Sequence, residues 1–147
     1  MKERVSILVV DDDEDTRNTL KKIFTNEGYD TDTAKTGAEA IEKLRSKPFN
    51  VAIIDIFLPD MRGTRLLPQI KAISPRIRRI MITGNATLDN AIEALNLGVD
   101  AYITKPIDPI QLLRVIEEKL RDQREEQRAL DLLYEALKVL EKERENR

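Results

Sequence analysis

Short apolar runs of strand length alternate with stretches whose apolar residues recur every three or four positions. Val5–Val10 is a β-branched run that stops abruptly at Asp11, Asp12 and Asp13. From about Glu14 the spacing turns helical, with Thr16, Leu20, Ile23 and Phe24 on one stripe and Gly28 as the stop. Tyr29–Thr33 alternates weakly and predicts an edge strand. Thr36 or Gly37 opens a helix with Ala38, Ile41 and Leu44 inward, closed by Lys47-Pro48. Val51–Ile54 predicts a strand buried on both faces, ending at Asp55. Leu66, Leu67 and Ile70 mark the next helix, with Pro68 in its first turn, where a missing N–H costs least. Ile77–Thr83 is a further strand. A helix with Leu88, Ile92 and Leu95 inward follows, capped by Gly98, and then a short strand, Ala101–Thr104. From Asp108 the chain predicts helix almost to its end. Five strands alternating with five helices imply an α/β fold, a parallel sheet covered on both faces with right-handed crossovers.

Composition narrows the chemistry. With 147 residues, 41% hydrophobic and 35% charged, the chain has room for one domain with a core and a little more. A net charge of -2 gives no general attraction to nucleic acid or an anionic membrane. With no apolar run of membrane-spanning length and no signal-peptide pattern, the expected location is cytoplasmic. Neither Cys nor His occurs, so thiolate and imidazole chemistry are excluded within this chain.

Four predicted strands end in polar residues of distinct kinds: Asp11 and Asp12, Asp55, Thr83, and Lys105. In a parallel sheet those ends share one edge, the edge at which open α/β sheets bind ligands. Asp55 alone would also suit a helix N-cap or a solvated strand end. Together the carboxylates create a problem, because a like-charge pair ~4 Å apart costs about 4 kcal/mol at an effective dielectric near 20. Such a pocket wants a hard cation, and an all-oxygen donor set suits Mg2+ or Mn2+ better than Zn2+. Lys105 and Thr83 fit phosphoryl oxygens, and Asp55 is a candidate nucleophile, since carboxylates form aspartyl-phosphates.

VVDDD, IIDIFLPDMRG, MITGNA and DAYITKP, in this order and spacing, resemble the receiver domain of two-component response regulators over roughly residues 1–121. The resemblance implies a flavodoxin-like sheet of strand order 2-1-3-4-5. It further implies Asp55 as phosphoacceptor, Asp12 as a direct Mg2+ ligand, Asp11 helping through water, and the Phe57 carbonyl completing the protein's ligands. Thr83 and Lys105 would contact the phosphoryl group, Tyr102 would be the switch aromatic, and Lys105-Pro106 would be cis. The phosphodonor would be a histidine kinase or phosphotransfer protein, and the chain an acceptor that catalyses only its own phosphorylation and dephosphorylation. Gly84, where Ala is usual, and the bulky Phe57 depart from the common pattern and bear on the lifetime of the phosphorylated state.

Residues 122–147 exceed what a receiver needs. After the polar stretch Arg121–Arg128, Leu130, Leu133, Leu137 and Leu140 recur at spacings of three and four with no predicted core to cover. Two readings compete: a coiled coil that makes a homodimer, or the start of a linker to an output domain. A different class also uses Asp, Mg2+, Thr and Lys, the aspartate-nucleophile phosphatases and phosphotransferases of the haloacid dehalogenase type. Those carry a second Asp two residues after the nucleophile, the place of Phe57 here.

Overall fold

A computed structural model describes residues 4–147. Five parallel strands, β1 (Ser6–Val10), β2 (Asp30–Ala34), β3 (Val51–Ile54), β4 (Arg78–Thr83) and β5 (Ala101–Thr104), form one sheet in the order β2-β1-β3-β4-β5. The helices are α1 (Glu14–Asn26), α2 (Gly37–Ser46), α3 (Leu66–Ile73), α4 (Leu88–Asn96) and α5 (Pro109–Glu145), with a single 3-10 turn at Gly63–Arg65. This is the flavodoxin-like strand order that the resemblance implies.

Strand alternation sorts the core into two layers. Leu8, Val10, Ala52, Ile54 and Met81 pack on the side that carries α2, α3 and α4. Ile7, Val9, Val51, Ile53, Ile80 and Ile82 meet α1 and α5 on the other. Both layers consume every residue of β3, which explains why its sequence is a continuous apolar run. Gly28 and Gly98 end α1 and α4 with φ of 85° and 84°, a region that residues with a Cβ avoid.

Several inward assignments shift by a residue or two. In α1 Arg17 is buried beside Leu20 and Phe24, while Thr16 lies at the margin. In α2 Ala40 is buried and Ala38 exposed. In α5 Leu112, Ile116 and Leu120 form the buried stripe and Leu113 packs at its margin.

The largest correction concerns α4. Leu88, Ile92 and Leu95 point outward, 75%, 45% and 68% exposed, and the helix rests on Asn90, Ala94 and Leu97. Small Ala94 lets the helix lie close to the sheet, and the Asn90 amide donates to the Asn85 carbonyl at 2.9 Å. Periodicity reveals a stripe; it does not reveal which of two competing stripes a polar anchor will turn inward.

The polar segment after Leu120 is not free of the domain. Gln123 donates to the carbonyls of Asn50 (3.0 Å) and Arg76 (2.8 Å) and accepts from the Asn50 amide (3.2 Å). Arg78 reaches Glu126 at 2.6 Å. These contacts hold α5 to the amino-terminal edge of the sheet for about two turns beyond its apolar face.

Candidate functional site at the carboxyl edge of the sheet

Parallel register fixes the site. Val10 pairs with Ile54 and Thr83 with Thr104, so the residues that follow β1, β3 and β5 emerge side by side. The amide of Asp55 donates to the Val10 carbonyl at 2.9 Å, which locks the acid beside the Asp11 turn. Asp11, Asp12 and Asp55 each offer a carboxylate oxygen within 4.8 Å of the others. Lys105 closes the group, its Nζ 3.2 Å from Asp11 Oδ2 and 3.7 Å from Asp55 Oδ2.

These carboxylates differ in surroundings. Asp11 is 2% exposed, and its Oδ1 accepts from the Asp13 amide at 2.9 Å. Asp12 faces solvent. Burial, and then the Asp11 charge, push the Asp55 carboxyl above its ordinary range; Lys105 and the amides of Phe57 and Ile56 oppose them. Burial works to lower the Lys105 pKa, yet Asp11 and Asp55 overcome it and the ammonium is held more firmly than usual. The donor set is all oxygen and over-supplied with negative charge, which fits a hard divalent cation.

Thr83 is 1% exposed at the end of β4, its carbonyl accepting from the Lys105 amide at 2.8 Å. The hydroxyl oxygen accepts from the Asn85 amide at 3.0 Å. Lys105-Pro106 is cis. Gly84 leaves room above Lys105: a Cβ there would stand 3.7 Å from Lys105 Cδ, an ordinary contact. Phe57 turns its ring outward, 44% exposed, with the Arg62 guanidinium 5.3 Å from the ring centre. Position 57 therefore brings no second acid toward Asp55. Tyr102 is not in the acidic pocket. It lies in the layer of Met81 and Ala94, its hydroxyl buried without a partner, and burial raises its pKa.

Tight turns support the arrangement. Gly63 donates to the Ile56 carbonyl at 2.5 Å and lies so close beneath Asp55 that a Cβ would overlap the Asp55 carbonyl. Asp60 accepts from the amides of Gly37 (2.9 Å) and Ala38 (3.0 Å), tying the loop after β3 to the start of α2. Those amides, Gly37 first, hold its carboxyl below the usual range.

Sequence reasoning missed Arg17, Arg62 and Glu93. Arg17, 8% exposed, donates to the Asp11 carbonyl at 2.8 Å and sets the turn that carries the acids. Its signal was present: a charge at a core position, three and seven residues before Leu20 and Phe24. Arg62 and Glu93 carried no such mark, since both lie at half-exposed positions. A groove of about 760 Å3 lies at the opposite edge of the sheet beside Arg4, Tyr29 and Gln123 and shares nothing with the acids.

Comparison with known proteins agrees with the geometry. The family model of the response regulator receiver domain matches residues 7–117. The transcriptional regulatory protein ZraR of Klebsiella oxytoca is 36% identical over 118 residues, 80% of this chain and 27% of that protein. DNA-binding transcriptional regulator NtrC of Escherichia coli K12 is 34% identical over 125 residues, 85% and 27%. The chain thus spans about a quarter of the length of the curated relatives it matches. Among solved structures, a CheY-like receiver domain protein from Methanospirillum hungatei JF-1 superposes with a TM-score of 0.82 at 44% identity, covering 84% of this chain and 99% of that one. A beryllofluoride-activated NtrC4 receiver domain dimer gives 0.76 at 35% identity, covering 80% and 98%. Receiver domains take phosphate from histidine kinases and bind Mg2+ at an acidic pocket. With the sheet order, the clustered acids and a match over most of its length, the chain belongs to the response regulator receiver domain family.

Proposed function

We propose that Asp55 accepts a phosphoryl group from a histidine kinase or phosphotransfer protein and that this chain is the receiver of a two-component response regulator. The observation that carries the reading is the convergence of Asp11, Asp12, Asp55 and Lys105 on one edge of the sheet. Asp12 and Asp55 would hold Mg2+ directly, with Asp11 through water and the Phe57 carbonyl as a further ligand. Bound there, Mg2+ neutralises the carboxylates and the charge that develops on the phosphoryl oxygens. A carboxylate oxygen of Asp55 forms the new P–O bond as the P–N bond of phosphohistidine breaks, and the electron pair stays on the imidazole. Lys105 Nζ moves from carboxylate to phosphoryl oxygen, and the Thr83 hydroxyl turns to donate to another.

The product brings about 1.5 to 2 negative charges to one strand end. As Thr83 turns, Tyr102 repacks and the face made by α4, β5 and α5 changes. Support for a responsive surface comes from the outward Leu88, Ile92 and Leu95, an apolar face that this domain does not itself cover.

Residues 1–121 form the receiver in this reading and residues 122–147 the extension. Leu130, Leu133, Leu137 and Leu140 stand 44%, 57%, 51% and 56% exposed on one continuous helix. Their alternating spacing is that of a left-handed coiled coil, so the reading adds a homodimer through this stripe. Incubation with acetyl phosphate and Mg2+ tests the acceptor assignment: one phosphoryl mass is expected on the wild type and none on Asp55→Asn. Equal labelling of both would refute the acceptor assignment.

A further inference from the structure

Arg62 and Glu93 join the loop after β3 to the middle of α4. The Arg62 guanidinium donates to Glu93 Oε2 at 2.7 Å and to Asn90 Oδ1 at 2.8 Å, and the Thr64 hydroxyl donates to Glu93 Oε1 at 2.5 Å. The backbone of Arg62 is bridged to that of Phe57, and its guanidinium lies against the Phe57 ring. On the far side, Asn90 donates through Nδ2 to the Asn85 carbonyl, and the Asn85 amide donates to Thr83 Oγ1. An unbroken series of contacts therefore runs from the residues flanking Asp55, through α4, to the hydroxyl at the end of β4.

We propose that Arg62 and Glu93 form a clasp that holds α4 in the position seen here and opposes the phosphoryl-bound conformation. The inference rests on Asp55 being the phosphoacceptor. When the Thr83 hydroxyl turns to donate to a phosphoryl oxygen, as in the proposed phosphorylated state, its contact with the Asn85 amide is loosened. Asn85 then shifts, and its carbonyl is the acceptor that fixes Asn90. Asn90 in turn shares the Arg62 guanidinium with Glu93. A two-state element biased from both ends is what a coupling requires, and contacts present in one state alone reduce the affinity of any ligand that selects the other. Arg62 and Glu93 are positioning residues, since neither touches the acids.

The pair is half-exposed, with side chains 36% and 35% accessible, so a modest bias is expected rather than a lock. Three variants of the full chain test it: Arg62→Gln, Glu93→Gln and the double variant. The readouts are the apparent affinity for beryllofluoride with Mg2+, and amide hydrogen exchange over Leu88–Asn96 without it. Each single variant is expected to bind beryllofluoride about threefold to tenfold more tightly and to exchange faster in α4, with the double variant no further changed than either single. Unchanged exchange in α4, unchanged or weaker beryllofluoride binding, or additive effects would overturn the clasp. Failure of the wild type to bind beryllofluoride would instead remove Asp55 as acceptor, while the exchange measurement still decides whether the clasp holds α4.

Discussion

Lys105 Nζ stands 3.7 Å from Asp55 Oδ2, within reach of its charge but beyond a good hydrogen bond. The closer partner is Asp11, at 3.2 Å. Lys105 is therefore shared between two acids and can be given up by either when a phosphoryl oxygen offers a better acceptor.

Replacing this lysine should move Asp55 further from its ordinary titration. Lys105 is one of the groups that lower the Asp55 pKa against burial and the Asp11 charge, so Lys105→Met is expected to raise it. Carboxyl carbon chemical shifts followed against pH in the absence of metal would show the change. A downward shift would mean that Lys105 does not face Asp55 in solution.

Stability should depend on pH through Asp55 with a definite sign. Its folded pKa is raised, so between the ordinary value and the raised one the folded state binds more protons than the unfolded state, and stability falls as pH rises through that window. Asp55→Asn removes the repelling charge and is expected to be more stable than wild type by about 1 kcal/mol at pH 7 in chelator. The advantage should vanish below the ordinary carboxyl range. Urea unfolding of both proteins at several pH values checks the prediction, and an advantage independent of pH would contradict it.

Metal should reverse that ranking. Mg2+ at ten times its dissociation constant stabilises a protein that binds it only when folded by about 1.4 kcal/mol. The wild type is expected to gain this, Lys105→Ala to gain at least as much, and Asp12→Ala and Asp55→Asn to gain little. Thermal melts with and without Mg2+ distinguish the four proteins, and a full gain in Asp12→Ala would exclude Asp12 as a ligand.

Where the chain is cut should matter. Ending it at Arg121 removes Gln123 and Glu126 and with them four hydrogen bonds to Asn50, Arg76 and Arg78, at about 0.5 kcal/mol net for each at this half-buried edge. Ending it at Arg128 keeps those contacts and removes only the leucine stripe. The shorter chain is expected to unfold about 2 kcal/mol more easily, and the longer truncation to match the full chain as a monomer. Equal stability of the two truncations would show that the Gln123 contacts contribute nothing.

Association should follow the stripe. A buried leucine gains roughly 1.5 to 3 kcal/mol over an exposed one, so four per chain can offset the cost of pairing. Leu133→Glu with Leu137→Glu is expected to leave a monomer with an intact receiver. Sedimentation over a concentration series, with and without beryllofluoride, would measure it; a full chain that stays monomeric at high micromolar concentration in both conditions would favour the linker reading.

Most of the architecture was legible because each element announced itself locally. The continuous apolar run of β3 implied a strand covered on both faces, and the polar residues after Val10, Ile54, Ile82 and Ile103 implied a shared edge once the strands were parallel. The order of the strands was not local and came from the family resemblance. Side-chain facing failed where two patterns competed. In α4 the larger residues Leu88, Ile92 and Leu95 made the stronger stripe, yet the helix turned on Asn90 and Ala94, because a hydrogen bond to Asn85 and close approach to the sheet decided its rotation. Sequence by itself determined which residues end strands and therefore which could meet. Only tertiary structure decided how Lys105 divides itself between Asp11 and Asp55, that Arg17 supports the Asp11 turn, and that Arg62 reaches Glu93. Those relationships depend on distances between segments far apart in the chain, which no local pattern encodes.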